Sequence, residues 1–390
     1  MKRLAIIPLV VLCLVITIPL ALGSDPLNLG HLIGTMRTAR HPRAAPQSVR
    51  QPASAQQNRR VSYPLAVSTV TDPWKPGMPQ WGVQVDWADH PGDTISHAWT
   101  ESQSIVDYIV GLKANSICIS FPVYVAGPNA SMVSAGAATP SPARIGVLIQ
   151  EARSAHLRVT VRPGLDESPG SPVGAQGVIA PADRGAWFAS YQRLLVPYAQ
   201  VAQQDGAASF VLGADLTSME GDSHWESLAT VLGRDFRGDI SYDAAGSDYV
   251  SRHVNMPVYH LGVDAYFAVD APDSASVSGL AASWNSWLDQ KSAGPLPRVI
   301  LSEVGIAAQD GAYHAPGSSK ADDSTNPLVQ ARWYQAACTV VHDRDMAGLY
   351  VWSLDFNSNP NQSASPSASP FSFAGRPQSE SALRACFSSS

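Results

Sequence analysis

The chain has 390 residues, 45% of them hydrophobic, and a formal charge of −6. That length holds one large domain or two ordinary ones, and the apolar content supports a sizeable core rather than a disordered chain. The charge is uneven: eight basic residues against Asp25 place +7 on residues 1–62, which leaves −13 on the remainder and argues against nucleic acid as the partner of the main domain.

Residues 1–23 read as an export leader: Lys2 and Arg3, then an unbroken apolar run from Leu4 to Leu22, then Ala21-Leu22-Gly23 as a small-residue cleavage site. The run is also about the ~20 residues that span a bilayer. A cleaved signal peptide and a retained membrane anchor through residues 4–22 therefore both stand, and either places the protein outside the cytoplasm. Residues 24–62 are rich in Pro, Ala, Ser, Gln and Arg, with no acidic residue after Asp25. Such a stretch buries too little apolar surface to offset ordering entropy and reads as a solvated linker. Residues 63–390 form the main domain.

From Trp81 onward, strand-length apolar runs alternate with helix-period segments. The expected strands are Trp81–Trp87, Ser116–Tyr124, Leu157–Asp166, Ser209–Leu216, Asp239–Ala245, Leu261–Val269, Arg298–Gly305 and Ala347–Asp355. Between them lie helices expected at Glu101–Leu112, Pro142–Ala155, Arg184–Gln204, Trp225–Phe236, near Tyr249, Val277–Gln290 and Leu328–His342, with a last one near Ser379–Phe387. In the long third helix Trp187, Phe188, Tyr191, Leu194, Leu195 and Tyr198 recur at i, i+3, i+4 and mark its core face. Eight strand–helix units in order predict a (β/α)₈ TIM barrel. Loop lengths agree: segments entering strands are short, such as Arg237-Gly238, while those leaving the second, third, seventh and eighth strands are long and rich in Gly, Pro and Ser. No GxGxxG or phosphate loop follows the first strand. Cys118 falls in a strand, and Cys338 and Cys386 fall on the last two helices. Export permits a Cys338–Cys386 disulfide; buried free thiols are the alternative. No Cys/His spacing points to zinc.

The strand ends collect carboxylates and aromatic residues: Asp86 and Trp87, Arg162 and Asp166, Asp215 and Glu220, Tyr242 and Asp243, Asp264 and Tyr266, Glu303, Trp352 and Asp355. Glycoside cleavage needs two carboxyls across the scissile bond, and flat aromatic faces stack on sugar rings. Tyr242 reads as barrel packing, whereas Trp352 is open to either role. The stretch RVILSEVG, Arg298–Gly305, delivers Glu303 to the rim, and Glu303 is the candidate nucleophile.

Residues 187–221 (WFASYQRLLVPYAQVAQQDGAASFVLGADLTSMEG) and 299–317 (VILSEVGIAAQDGAYHAPG), with ANSICISFPVY and LRVTVRPGLD, resemble glycoside hydrolase family 113. The resemblance covers most of Trp81–Phe387. It implies a retaining barrel with carboxylates ending the fourth and seventh strands, acting as a β-mannanase. By position Glu303 matches the family nucleophile. Asp215 stands where the family's acid/base is a glutamate, in a Gly-x-Glu-Leu motif that reads GADL here. A second departure is Ala245-Gly246, where the family tends to have Asn-Trp.

The expectation is thus an exported, monomeric glycoside hydrolase acting on a β-mannan-like glycan, without metal or cofactor. Glu303 and Asp215 are its catalytic pair; Trp87, Asp86, Arg162, Glu220, Tyr266 and Trp352 are its substrate-binding candidates. The alternative is a barrel that binds carbohydrate at the cell envelope, membrane-tethered, without cleaving it.

Overall fold

The computed structural model describes residues 68–167, 179–252, 254–320, 323–365 and 367–388. The chain divides at Arg60, and all described residues belong to the unit that begins at Val61. The expected leader and the linker lie outside the described residues.

The first unit is β1 (Gln80–Asp86) and α1 (Ile95–Gly111). Next come β2 (Ser116–Val125), a two-residue strand β3 (Val133–Ser134) and α2 (Pro142–Ser154). β4 (Arg158–Glu167) leads to α3 (Arg184–Asp205), and β5 (Ser209–Ala214) to α4 (His224–Asp235). β6 (Asp239–Ala245) runs into the short α5 (Gly246–Ser251), and β7 (His260–Asp264) into α6 (Val277–Asp289). β8 (Val299–Val304), α7 (Pro327–Asp343), β9 (Gly348–Asp355) and α8 (Pro377–Phe387) complete the chain.

Every strand except β3 pairs in parallel with its neighbours, and β1 pairs with both β2 and β9, so the sheet closes on itself. The expected (β/α)₈ barrel is present. The strands alternate: inward residues are mostly small or polar, such as Thr160, Ser209, Ser241 and Gly262, and apolar residues face the covering helices. Val83, Val85, Ile117, Ile119, Val159, Val161, Leu212 and Leu301 are all buried. On β1 the inward positions are Gln80, Gly82, Gln84 and Asp86. Gly82 leaves room for the Tyr350 ring, which reaches across from β9 and donates to Gln80 at 2.7 Å.

Local chemistry moves several boundaries. α1 begins at Ile95 rather than Glu101, because the Thr94 side chain caps it by accepting from the His97 amide. β5 stops at Ala214, two residues early, because Asp215 takes a left-handed backbone with φ 54°. β7 ends at Asp264, not Val269: the Ala265 amide makes the last ladder bond to the Glu303 carbonyl, and the Tyr266 amide then folds back onto the Asp264 carbonyl at 3.1 Å. Cys338 and Cys386 form a disulfide that ties α7 to α8, with Cα atoms 5.9 Å apart, while Cys118 is a buried free thiol.

Candidate active site

The C-terminal strand ends surround a cavity of about 350 Å³ lined by Asp86 on β1, Arg162 and Asp166 on β4, Asp215 after β5, Glu303 on β8 and Trp352 on β9, among others. Active sites of this architecture lie on that face.

Glu303 is the penultimate residue of β8, and its side chain is 12% exposed. Three donors converge on it. Gln84 Nε2 reaches Oε1 at 3.1 Å, Arg162 Nη1 reaches Oε1 at 2.8 Å, and Tyr266 Oη reaches Oε2 at 3.0 Å. All three suit an acceptor-only carboxylate.

Arg162 is the hub beneath. Besides Glu303, its Nε reaches Asp243 Oδ2 and its Nη2 reaches Asp264 Oδ2, each at 2.7 Å. One planar guanidinium thus spans carboxylates from three strands, which a lysine's single point charge cannot do. Ser302 Oγ donates to the remaining Asp264 oxygen at 2.7 Å. Gly262 makes the arrangement possible, since a Cβ there would overlap the Asp243 carboxylate. Burial pushes Asp264 and Asp243 upward, with the Arg162 charge opposing. The three carboxylates outnumber their one cation.

Asp215 stands across the same cavity. Burial, and then the negative charge of Glu303, push its carboxyl from 3.8 up to about 7, while Arg162 and a hydrogen bond with Asp264 pull the other way. Its Oδ1 is buried without a hydrogen-bond partner. Asp86 is a fourth perturbed acid, raised to about 6 by burial and then by Glu303. Its Oδ1 accepts from Gln84 Nε2 at 3.0 Å, so one amide serves both Asp86 and Glu303. Among the described residues no group of three or more His, Cys, Asp or Glu side chains is arranged to hold a metal ion.

The model of Glycoside Hydrolase Family 113 matches residues 89–375. The chain belongs to glycoside hydrolase family 113. Among solved structures, a family 113 β-1,4-mannanase complex aligns with a TM-score of 0.67 at 16% identity, over 80% of this chain and 100% of that one. Another family 113 β-1,4-mannanase aligns at 0.66 and 17%, over 79% and 98%. The family 113 β-mannanase AaManA from Alicyclobacillus acidocaldarius, in complex with ManMIm, aligns at 0.64 and 18%, over 79% and 96%. At these identities the likeness shows a shared fold. No protein in the search of curated sequences matches the chain.

In this family 113 hydrolase the residues singled out from sequence fall into two groups. Asp215, Glu303, Asp86, Trp87, Arg162 and Trp352 line the cavity, and Glu220 and Tyr266 do not. Trp352 meets Tyr266 edge-on at 6.2 Å and Phe371 at 5.1 Å, which holds a partly exposed indole at the rim. Four of the expected sugar contacts are committed to protein partners instead. Trp87 is 1% exposed, stacked on Phe356 at 3.6 Å with its N–H on Asp89, so packing has used one of its faces and its polar edge. Glu220 does not line the cavity: its side chain is fully buried between Tyr242 Oη at 2.9 Å and Arg252 Nη2 at 2.6 Å. Tyr266 supports Glu303 from beside the cavity, and Arg162 commits its guanidinium to carboxylates. Gln84 was missed by sequence reasoning. Its signal was present, as the polar residue in the buried run WGVQVDW, two places before Asp86 and therefore on the same face.

Proposed function

We propose that this family 113 member is an exported hydrolase of a β-mannan-type glycan, working by the retaining two-carboxylate mechanism. The observation that carries the reading is the asymmetry of the two carboxyls. Glu303 receives three donors, while Asp215 lies across the cavity with an unpartnered oxygen and a carboxyl raised to about 7. Acid and base roles separate when environments separate two titrating groups.

In the first step Asp215 gives its proton to the glycosidic oxygen as the bond to the anomeric carbon breaks. Glu303 attacks that carbon and forms a glycosyl ester. In the second step Asp215, now ionised, takes a proton from water, which displaces Glu303 and releases the sugar with its configuration retained. Gln84, Arg162 and Tyr266 orient the nucleophile, Asp86 accepts sugar hydroxyls, and Trp352 offers a ring face to the sugar. Export is supported by the leader-like residues 1–23 and by the Cys338–Cys386 disulfide, since such bonds persist in oxidising compartments.

The test is hydrolysis of β-mannan and β-manno-oligosaccharides by the purified protein, with the product anomer read by proton NMR. Glu303→Gln should lower turnover by about 10⁴-fold; unchanged hydrolysis by that variant overturns the assignment, and an inverted product overturns the retaining step. The second reading, binding without cleavage, is favoured by one observation: Asp215 is a methylene shorter than the family's glutamate. It predicts glycan affinity without hydrolysis in the wild type.

A further inference from the structure

We propose that Tyr242 is a positioning residue that sets where the Asp215 carboxyl stands, acting through the backbone and held in place by Glu220 and Arg252. The inference rests on Asp215 being the acid/base.

Asp215 has φ 54°, in the left-handed region that is unfavourable for an L-residue and that Asp tolerates better than most. Such a conformation persists only where the surroundings over-determine it. Here two consecutive amides are tied to two consecutive residues of β6. The Asp215 amide donates to the Asp243 carbonyl at 3.0 Å, and the Leu216 amide donates to Tyr242 Oη at 2.9 Å.

The phenol is itself committed. A hydroxyl has one proton to give, and Tyr242 gives it to Glu220 Oε1 at 2.9 Å while accepting from Leu216. Glu220 Oε2 takes Arg252 Nη2 at 2.6 Å, and the same nitrogen reaches the Thr217 carbonyl at 3.3 Å. The loop after β5 is closed from its other end by Trp225 Nε1, which donates to the Met219 carbonyl at 2.9 Å. Tyr242 is fully buried, and burial and the Glu220 charge push its phenol upward, so the proton stays on it. Neither Tyr242 nor Glu220 lines the cavity, so neither touches substrate there.

An aspartate depends on this clamp more than a glutamate would. It has one fewer side-chain torsion with which to correct a backbone shift, so its carboxyl follows its Cα. A displacement near 1 Å costs about 10²-fold where geometry governs the step.

The test compares two substrates on the full-length protein. A β-manno-oligosaccharide has a sugar leaving group that must be protonated, whereas 2,4-dinitrophenyl β-mannoside has one that departs without help. Tyr242→Phe should lower kcat/KM by about 10²-fold on the oligosaccharide and by less than about threefold on the dinitrophenyl glycoside. Glu220→Gln, whose amide oxygen still accepts the phenol proton, should show the same split at smaller size if Tyr242→Phe does not fold. Equal losses on both substrates, or no loss on either, overturn the proposal. Asp215→Asn is the control that separates the two claims. If it lacks the split, the acid/base assignment fails; if it shows the split and both clamp variants lack it, only the clamp fails.

Discussion

The raised Asp215 carboxyl makes the pH dependence of the reaction a quantitative test. With the carboxyl at about 7, the acid form is about 90% populated at pH 6 and about 10% at pH 8. Protonated Asp215 is needed to expel a sugar leaving group, so kcat/KM on a β-manno-oligosaccharide should fall about tenfold between those pH values. The sign follows from the causes: burial and the Glu303 charge both disfavour the anion and move the basic limb above an ordinary aspartate's 3.8. Asp215→Asn should lower kcat/KM by about 10²–10⁴-fold and abolish the limb. Asp86, at about 6, is the competing source of such a limb, so Asp86→Asn must leave the midpoint near 7. The assay is initial-rate kinetics from pH 5 to 9 with reducing-end detection. A flat profile between pH 6 and 8, or a limb that survives in Asp215→Asn, would refute the reasoning.

Three further outcomes follow from named contacts. Arg162→Lys should destabilise the fold by about 3–5 kcal/mol in urea unfolding, because a lysine leaves buried carboxylates among Asp243, Asp264 and Glu303 without a partner. Gln84→Met removes the amide shared by Asp86 and Glu303; kcat should fall by about tenfold, and the Asp86 carboxyl, which that hydrogen bond holds down, should titrate higher by NMR. The Cys338–Cys386 bridge closes a 48-residue separation, worth about 4 kcal/mol by chain entropy, so a reductant should lower the melting temperature of the wild type and not of the Cys338→Ser/Cys386→Ser variant.

Much of the barrel was legible in the order of its runs, because each strand must present apolar residues to the helices that cover it and the intervening helices must show a stripe. The boundaries that moved did so for local polar reasons. Thr94 capped a helix early, and the fold-back of the Tyr266 amide onto the Asp264 carbonyl ended a strand that apolar residues would have continued. Candidate carboxylates were legible too, since they stand where strands end. Their partners were not: Gln84 lies 219 residues from Glu303 in sequence, and Arg162 is 102 residues from Asp264. Glu220 looked like a rim residue because position along a strand does not report which way a side chain turns after the strand has ended.

The sequence by itself determined that eight strands and their helices would form, and that Glu303 and Asp215 would end two of those strands. Periodicity and residue type are local properties, and they were enough for that. Only the tertiary structure decided which acids share a cavity, which of them Arg162 holds, and which is pushed toward protonation. Those outcomes depend on burial and on charges brought together by closure of the barrel, and neither quantity exists until distant strands meet.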